Sequence, residues 1–153
     1  MSDPPANCND ALGRLFATLS RSLLQYLDEA EPWTEARQVA ARESLKQVAA
    51  SQRRSIARLA DLVVRRHVLP ESASFPSGFA ALHYLALDFL MDRLIADQIG
   101  VVAAIDEALA ACRDDQATRV LERVQTREAE HFDRLRQIAR SLGPAENSGR
   151  EIA

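Results

Sequence analysis

Glu128 and His131 stand three residues apart in the phrase Arg127-Glu-Ala-Glu-His131, a spacing that puts both side chains on one face of a helix. A carboxylate and an imidazole presented together can ligate a divalent metal, or can form a hydrogen-bonded buried pair without one. Asp92, four residues after Asp88, is the third candidate: with Glu128 and His131 it would complete an improvised mononuclear metal site. The competing expectation for a buried aspartate in so arginine-rich a chain is an ion pair. Other chemistries lack their residues, since there is no Gly-rich phosphate loop, no G-x-S-x-G and no cysteine beside a histidine. His67 and His83, the remaining histidines, read as structural. Cys8 and Cys112 have neither CxxC spacing nor the even framework of a small secreted domain, which fits a reducing cytoplasm.

The elements that would position these groups are helices. Glycine and proline punctuate the chain so as to leave four long segments, approximately 9–30, 34–67, 79–112 and 115–142. Each is too long for a strand and rich in Ala, Leu, Arg, Glu and Gln. In the last, Ala117, Leu121, Val124, then Glu128 and His131, then Leu135, Ile138 and Leu142 recur in steps of three and four, so Glu128 and His131 interrupt an inward apolar stripe. The second segment repeats the pattern through Ala41, Leu45, Val48, Gln52, Ser55, Leu59 and Leu62, and the first through Leu12, Leu15, Leu19, Ser22 or Leu23, and Tyr26. Residues 79–91 are apolar on nearly every side, which predicts that the third helix buries a second face against another copy in a homodimer. Gly100 within it marks a kink or a close helix contact. The eleven residues 68–78 reach at most about 38 Å when extended, enough to run the length of a bundle.

Length and composition agree. The 153 residues are 47% hydrophobic and 27% charged, with few aromatics, glycines or prolines, which excludes an all-β architecture and general disorder. One domain is expected over residues 9–142, between a disordered N-terminus at 1–8 and a flexible tail at 143–153. A formal charge of −3 gives no field for nucleic acid or an anionic membrane. Arg54, Arg58, Arg65 and Arg66 are expected on a solvated, salt-bridged face. No export signal and no membrane span is read, so the expected location is cytoplasmic.

The helix-one phrase Ser22-Leu-Leu-Gln-Tyr26, the crossover-length link and Glu128-x-x-His131-x-x-x-Leu135 together resemble the ferritin-like superfamily, nearest in pattern to bacterioferritin-type and related small bacterial proteins, over about residues 10–142. The resemblance implies an all-α fold, a ferritin-like four-helix bundle with a crossover between helices 2 and 3. It also implies a two-iron site taking one Glu from the first helix of each half and Glu-x-x-His from the second. Only Glu128 and His131 match. Aligned through Arg58-Leu-Ala-Asp-Leu62, the first-half motif falls on Gln52 and Ser55, and the first-helix ligands fall on Leu19 and Ile95. The halves then share one spacing, since 52 − 19 and 128 − 95 are both 33. Arg53 stands where bacterioferritins place the haem-ligating Met, so haem is not expected.

Four of six ligand positions are thus non-ligating, which predicts a degenerate di-iron site, no resident cofactor and no enzymatic activity. The expected function is a structural, assembly or interaction module with no identifiable protein partner. The alternative is a metal-binding oxidoreductase holding iron or another divalent metal at Glu128, His131 and Asp92. A third expectation is a small hydrophobic ligand in a cavity near Leu19 and Ile95.

Overall fold

The computed structural model describes residues 4–32, 34–69, 74–82 and 85–143. All regular elements among them are helical: α1 (Pro4–Ser20), α2 (Leu23–Ala30), α3 (Val39–Arg65, preceded by a 3-10 turn, Ala36–Gln38), α4 (Phe79–Leu82), α5 (Leu87–Ala111) and α6 (Asp115–Leu142). None is long and apolar enough to cross a membrane.

The boundaries follow local chemistry. The first predicted segment is two helices, because Ser22 adopts an extended conformation and its hydroxyl accepts from Gln25 N as the N-cap of α2. Asp97 Oδ2 on α5 accepts from Leu23 N at 3.0 Å, satisfying a second free donor at that helix start. Asp114 caps α6 by accepting from Ala117 N. That N–H bond, aided by Arg66, holds its carboxyl below the ordinary range. His67 closes α3 in the left-handed region, φ 54°, with Val68 N donating back to Val63 O, the geometry that turns a chain sharply off a helix.

Three expectations change here. Residues 4–8, assigned to a disordered N-terminus, form the start of α1. The third long helix begins at Leu87. Of the apolar stretch before it, residues 79–82 make the short α4 and His83 lies outside the described residues, as does the tail from 144. Gly100 is exposed with open space around the position a Cβ would take, so no close intrachain contact explains it.

Cys8 and Cys112 form a disulfide, which corrects the reading of two unrelated thiols and removes the argument for a reducing compartment. Tertiary packing brings together residues that spacing cannot pair. This bond joins the start of α1 to the end of α5, while Leu23 meets Asp97, so the two helices run antiparallel. Arg66 meets Asp114 as Ser51 meets His131, which makes α3 and α6 antiparallel. Arg66 also bonds Asn9 while Gln52 bonds Ser22, which does the same for α1 and α3. Helices α5 and α6 form a hairpin, and α3 and α5 face each other across the interior.

That interior holds two apolar blocks. One gathers Leu12, Leu15, Leu19, Leu59, Leu62, Ile105, Leu121 and Val124 around the disulfide. The other gathers Leu24, Leu27, Leu45, Val48, Leu87, Leu90, Leu94, Leu135 and Ile138. The predicted stripes of α3 and α6 are buried along their length. Full burial of each such side chain stabilises by about 1.5–3 kcal/mol.

Candidate functional site

Between the two blocks lies a layer of polar side chains from α3, α5, α6 and the break between α1 and α2. Ser22, Gln52, Ser55, Gln98, Glu128 and His131 are each at most 5% exposed. On α5 the inward stripe runs Leu90, Leu94, Gln98, Val101, Ile105, so Gln98 interrupts it as Glu128 and His131 interrupt that of α6.

Ser22, Gln52, Gln98 and Glu128 form one hydrogen-bonded network, joined by Gln25. Gln52 Nε2 donates to Glu128 Oε1 at 2.8 Å, and Gln98 Nε2 donates to the same oxygen at 3.1 Å and to the Glu128 backbone carbonyl at 3.0 Å. Gln52 Oε1 accepts from Ser22 Oγ at 2.8 Å and from Gln25 Nε2 at 3.0 Å. His131 Nδ1 lies 2.7 Å from Glu128 Oε2 but off the line of a good hydrogen bond, so neither atom has a directed partner; the contact is an ion pair only when the imidazole is protonated. His131 Nε2 meets Ser51 Oγ at 2.7 Å. The Ser55 hydroxyl is buried without a partner. Burial pushes the Glu128 carboxyl up, but the neighbouring His131 and the Gln52 and Gln98 donors together bring it below its ordinary value. Asp97, beside the layer, is pushed up by burial, an effect that the Leu23 N–H partly offsets.

Ser22 pairs with Gln52 and Gln98 with Glu128, and both pairs are 30 residues apart. The layer thus holds Ser22 at the break between α1 and α2 and Gln98 on α5, each bonded to the first residue of an i, i+3 pair, Gln52 and Ser55 on α3 and Glu128 and His131 on α6. Leu19 and Ile95 lie one turn away. Leu19 is fully buried in an apolar block, and Ile95 is half-buried against the other. The network residues that the resemblance does not name as ligand positions are Ser22, Gln25 and Gln98. The missed signal is the polar Ser22 and Gln98 in otherwise apolar stripes.

Glu128 and His131 are brought together as expected, but Asp92 is not with them. It is exposed and lines a surface recess with Asp88, Arg140 and Leu142, while Asp88 lies 3.7 Å from Arg37. Among the described residues no three His, Cys, Asp or Glu side chains converge on a common point. The donor set does not fit a two-iron centre, which needs several carboxylates to balance its charge. Here one carboxylate is present, and its Oε1 already accepts two amide N–H groups. Arg53 pairs with Asp28. An apolar cleft lined by Leu24, Leu27, Leu45 and Leu94 holds about 20 Å³, space for roughly one water and far below the roughly 300 Å³ of a small-ligand site. On the basic face, Arg65 pairs with Asp61 and Arg66 with Asp114.

Comparison with protein-family models, with curated proteins and with solved structures gave no match.

Proposed function

We propose that the chain is a ferritin-like four-helix bundle, with a crossover from α3 to α5, that has lost ferroxidase activity and serves as a homo-oligomeric structural or interaction module. The observation that carries this reading is the layer Ser22, Gln52, Ser55, Gln98, Glu128 and His131. Within it Gln52 and Ser55 on α3 and Glu128 and His131 on α6 repeat the i, i+3 spacing of the paired Glu-x-x-His of a two-iron site, with an amide and a hydroxyl in the first pair, while Leu19 and Ile95, where the resemblance places the first-helix carboxylates, are apolar. The antiparallel packing of α1 with α3 and of α5 with α6, and the placing of α3 opposite α5, support the same topology. In place of metal, the network itself ties the helices together at mid-height. An amide at 52 and another at 98 supply N–H donors to a lone carboxylate, replacing the positive charge that a metal would bring.

The reading is tested by elemental analysis of the purified protein before and after anaerobic Fe(II) loading, with ferric-oxo absorbance followed on admitting air. The expected outcome is no retained metal and no oxidation above that of buffer. About two irons per chain with rapid oxidation would overturn the reading. One metal per chain, lost in Glu128→Ala and His131→Ala variants that remain folded, would instead establish a reduced metal site.

A further inference from the structure

Helix α5 packs against α1 on one side and α6 on another, and among the described residues no helix packs on its third side. Phe89, Arg93, Ala96, Gly100, Ala103 and Glu107 follow one another in alternating steps of four and three, and all are exposed. That spacing makes a single straight seam along the helix. Ile99, 56% exposed, borders it at the centre, and Phe89 is 40% exposed at one end. Two large apolar side chains left in solvent on one face call for a cover.

The seam has a symmetry of charge. Arg93 and Glu107 lie seven residues to either side of Gly100, roughly 10 Å each way along the axis at 1.5 Å per residue. Asp106 is turned toward α6, where it accepts from Gln125 Nε2, and Asp92 lies on the recess shared with Arg140, so Arg93 and Glu107 are the charges of the seam. A second copy of the helix laid antiparallel, with the two-fold axis through Gly100, sets Arg93 against the partner's Glu107 and Glu107 against the partner's Arg93. Gly100 then meets its own counterpart and Ala96 meets the region of the partner's Ala103, so small residues stand where the axes come closest. This accounts for an exposed mid-helix glycine, which otherwise costs about 1 kcal/mol relative to alanine.

We infer that the Phe89–Glu107 face of α5 is the homodimer interface, formed by two antiparallel copies of α5 about a two-fold axis at Gly100. The inference deepens the homo-oligomeric part of the proposed function and is independent of its iron chemistry. An isologous contact of this kind closes on itself, and the two ion pairs fix its register more than they add affinity.

Sedimentation and light scattering on the full oxidised chain provide the test. The wild-type protein should have twice the 16.9 kDa chain mass. Gly100→Glu, at a position with open space around it, should give a monomer with the wild-type helical spectrum. Arg93→Glu should raise the dimer dissociation constant about tenfold or more, and Arg93→Glu combined with Glu107→Arg should restore it to within about twofold. Gly100→Cys should cross-link as a dimer under mild oxidation. A monomeric wild-type protein would overturn both the interface and the homo-oligomeric reading. A dimer that persists in Gly100→Glu would overturn this face while leaving homo-oligomerisation intact, and failure of the charge swap to rescue would overturn the antiparallel register.

Discussion

Gln52 Nε2 and Glu128 Oε1 meet at 2.8 Å in the middle of the protein, with both side chains fully buried. One carboxylate oxygen is thereby committed to an amide donor from α3, and Gln98 of α5 adds a second. The carboxylate is the acceptor on which three helices converge.

Removing that acceptor should be costly. Glu128→Leu leaves the Gln52 and Gln98 donors and the His131 ring facing hydrocarbon, and it should destabilise the fold by about 3 kcal/mol or more in urea unfolding. Glu128→Gln keeps an oxygen in place and should cost about 1 kcal/mol. A Leu variant as stable as the wild type would show that the network contributes shape alone.

Acid should reveal the same residue. The folded carboxyl titrates below its ordinary value of 4.5, because His131, Gln52 and Gln98 outweigh the upward push of burial. A folded pKa below the unfolded one means that the contribution is fully present above the unfolded value and is lost as pH falls through the folded one. The stability difference between wild type and Glu128→Gln should therefore be constant near neutrality and shrink as pH drops below 4.5. A difference independent of pH down to acid unfolding would contradict the assignment.

The Cys8–Cys112 bond closes a separation of 104 residues. Constraining an unfolded chain over that length is worth about 4–5 kcal/mol in the chain-entropy account. Thermal melting with and without a thiol reductant should differ by many degrees, and the double variant Cys8→Ala, Cys112→Ala should melt low in both. Equal melting of the oxidised and reduced wild type would remove the bond from the account of stability.

Ser55 provides an opposite prediction. Its hydroxyl is buried without a partner, so Ser55→Ala should be neutral or stabilise by up to about 1 kcal/mol. A loss of stability there would indicate a buried water bridging Ser55 to the network, and solvent-exchange measurements on the variant would detect its departure.

Much of this was legible in the residues themselves. The stripe Ala41, Leu45, Val48, Leu59, Leu62 and its counterpart Ala117, Leu121, Val124, Leu135, Ile138 are buried as their periodicity required, because a regular helix repeats its faces whatever it packs against. The Glu128 and His131 pair was visible for the same reason. The break at Ser22 was less visible, because a serine serves as well on a buried stripe as at an N-cap. Its conformation was settled partly by Asp97, 74 residues away along the chain.

The partners of the site lay beyond local periodicity. Helical spacing fixes which residues share a face, but it leaves free the sliding of one helix along another. A slip of one turn replaces Ser22 and Gln98 with Leu19 and Ile95 while preserving every stripe. Packing decided that slip: Leu19 is buried in the apolar block while Ser22 bonds Gln52 and Gln98 bonds Glu128 Oε1. The disulfide was decided at the same level, since Cys8 and Cys112 become neighbours only when α1 and α5 lie antiparallel. The sequence by itself determined the helices, their inward faces and the lone Glu128–His131 pair. The tertiary structure alone decided which polar groups face one another, because a buried donor must find its acceptor in three dimensions.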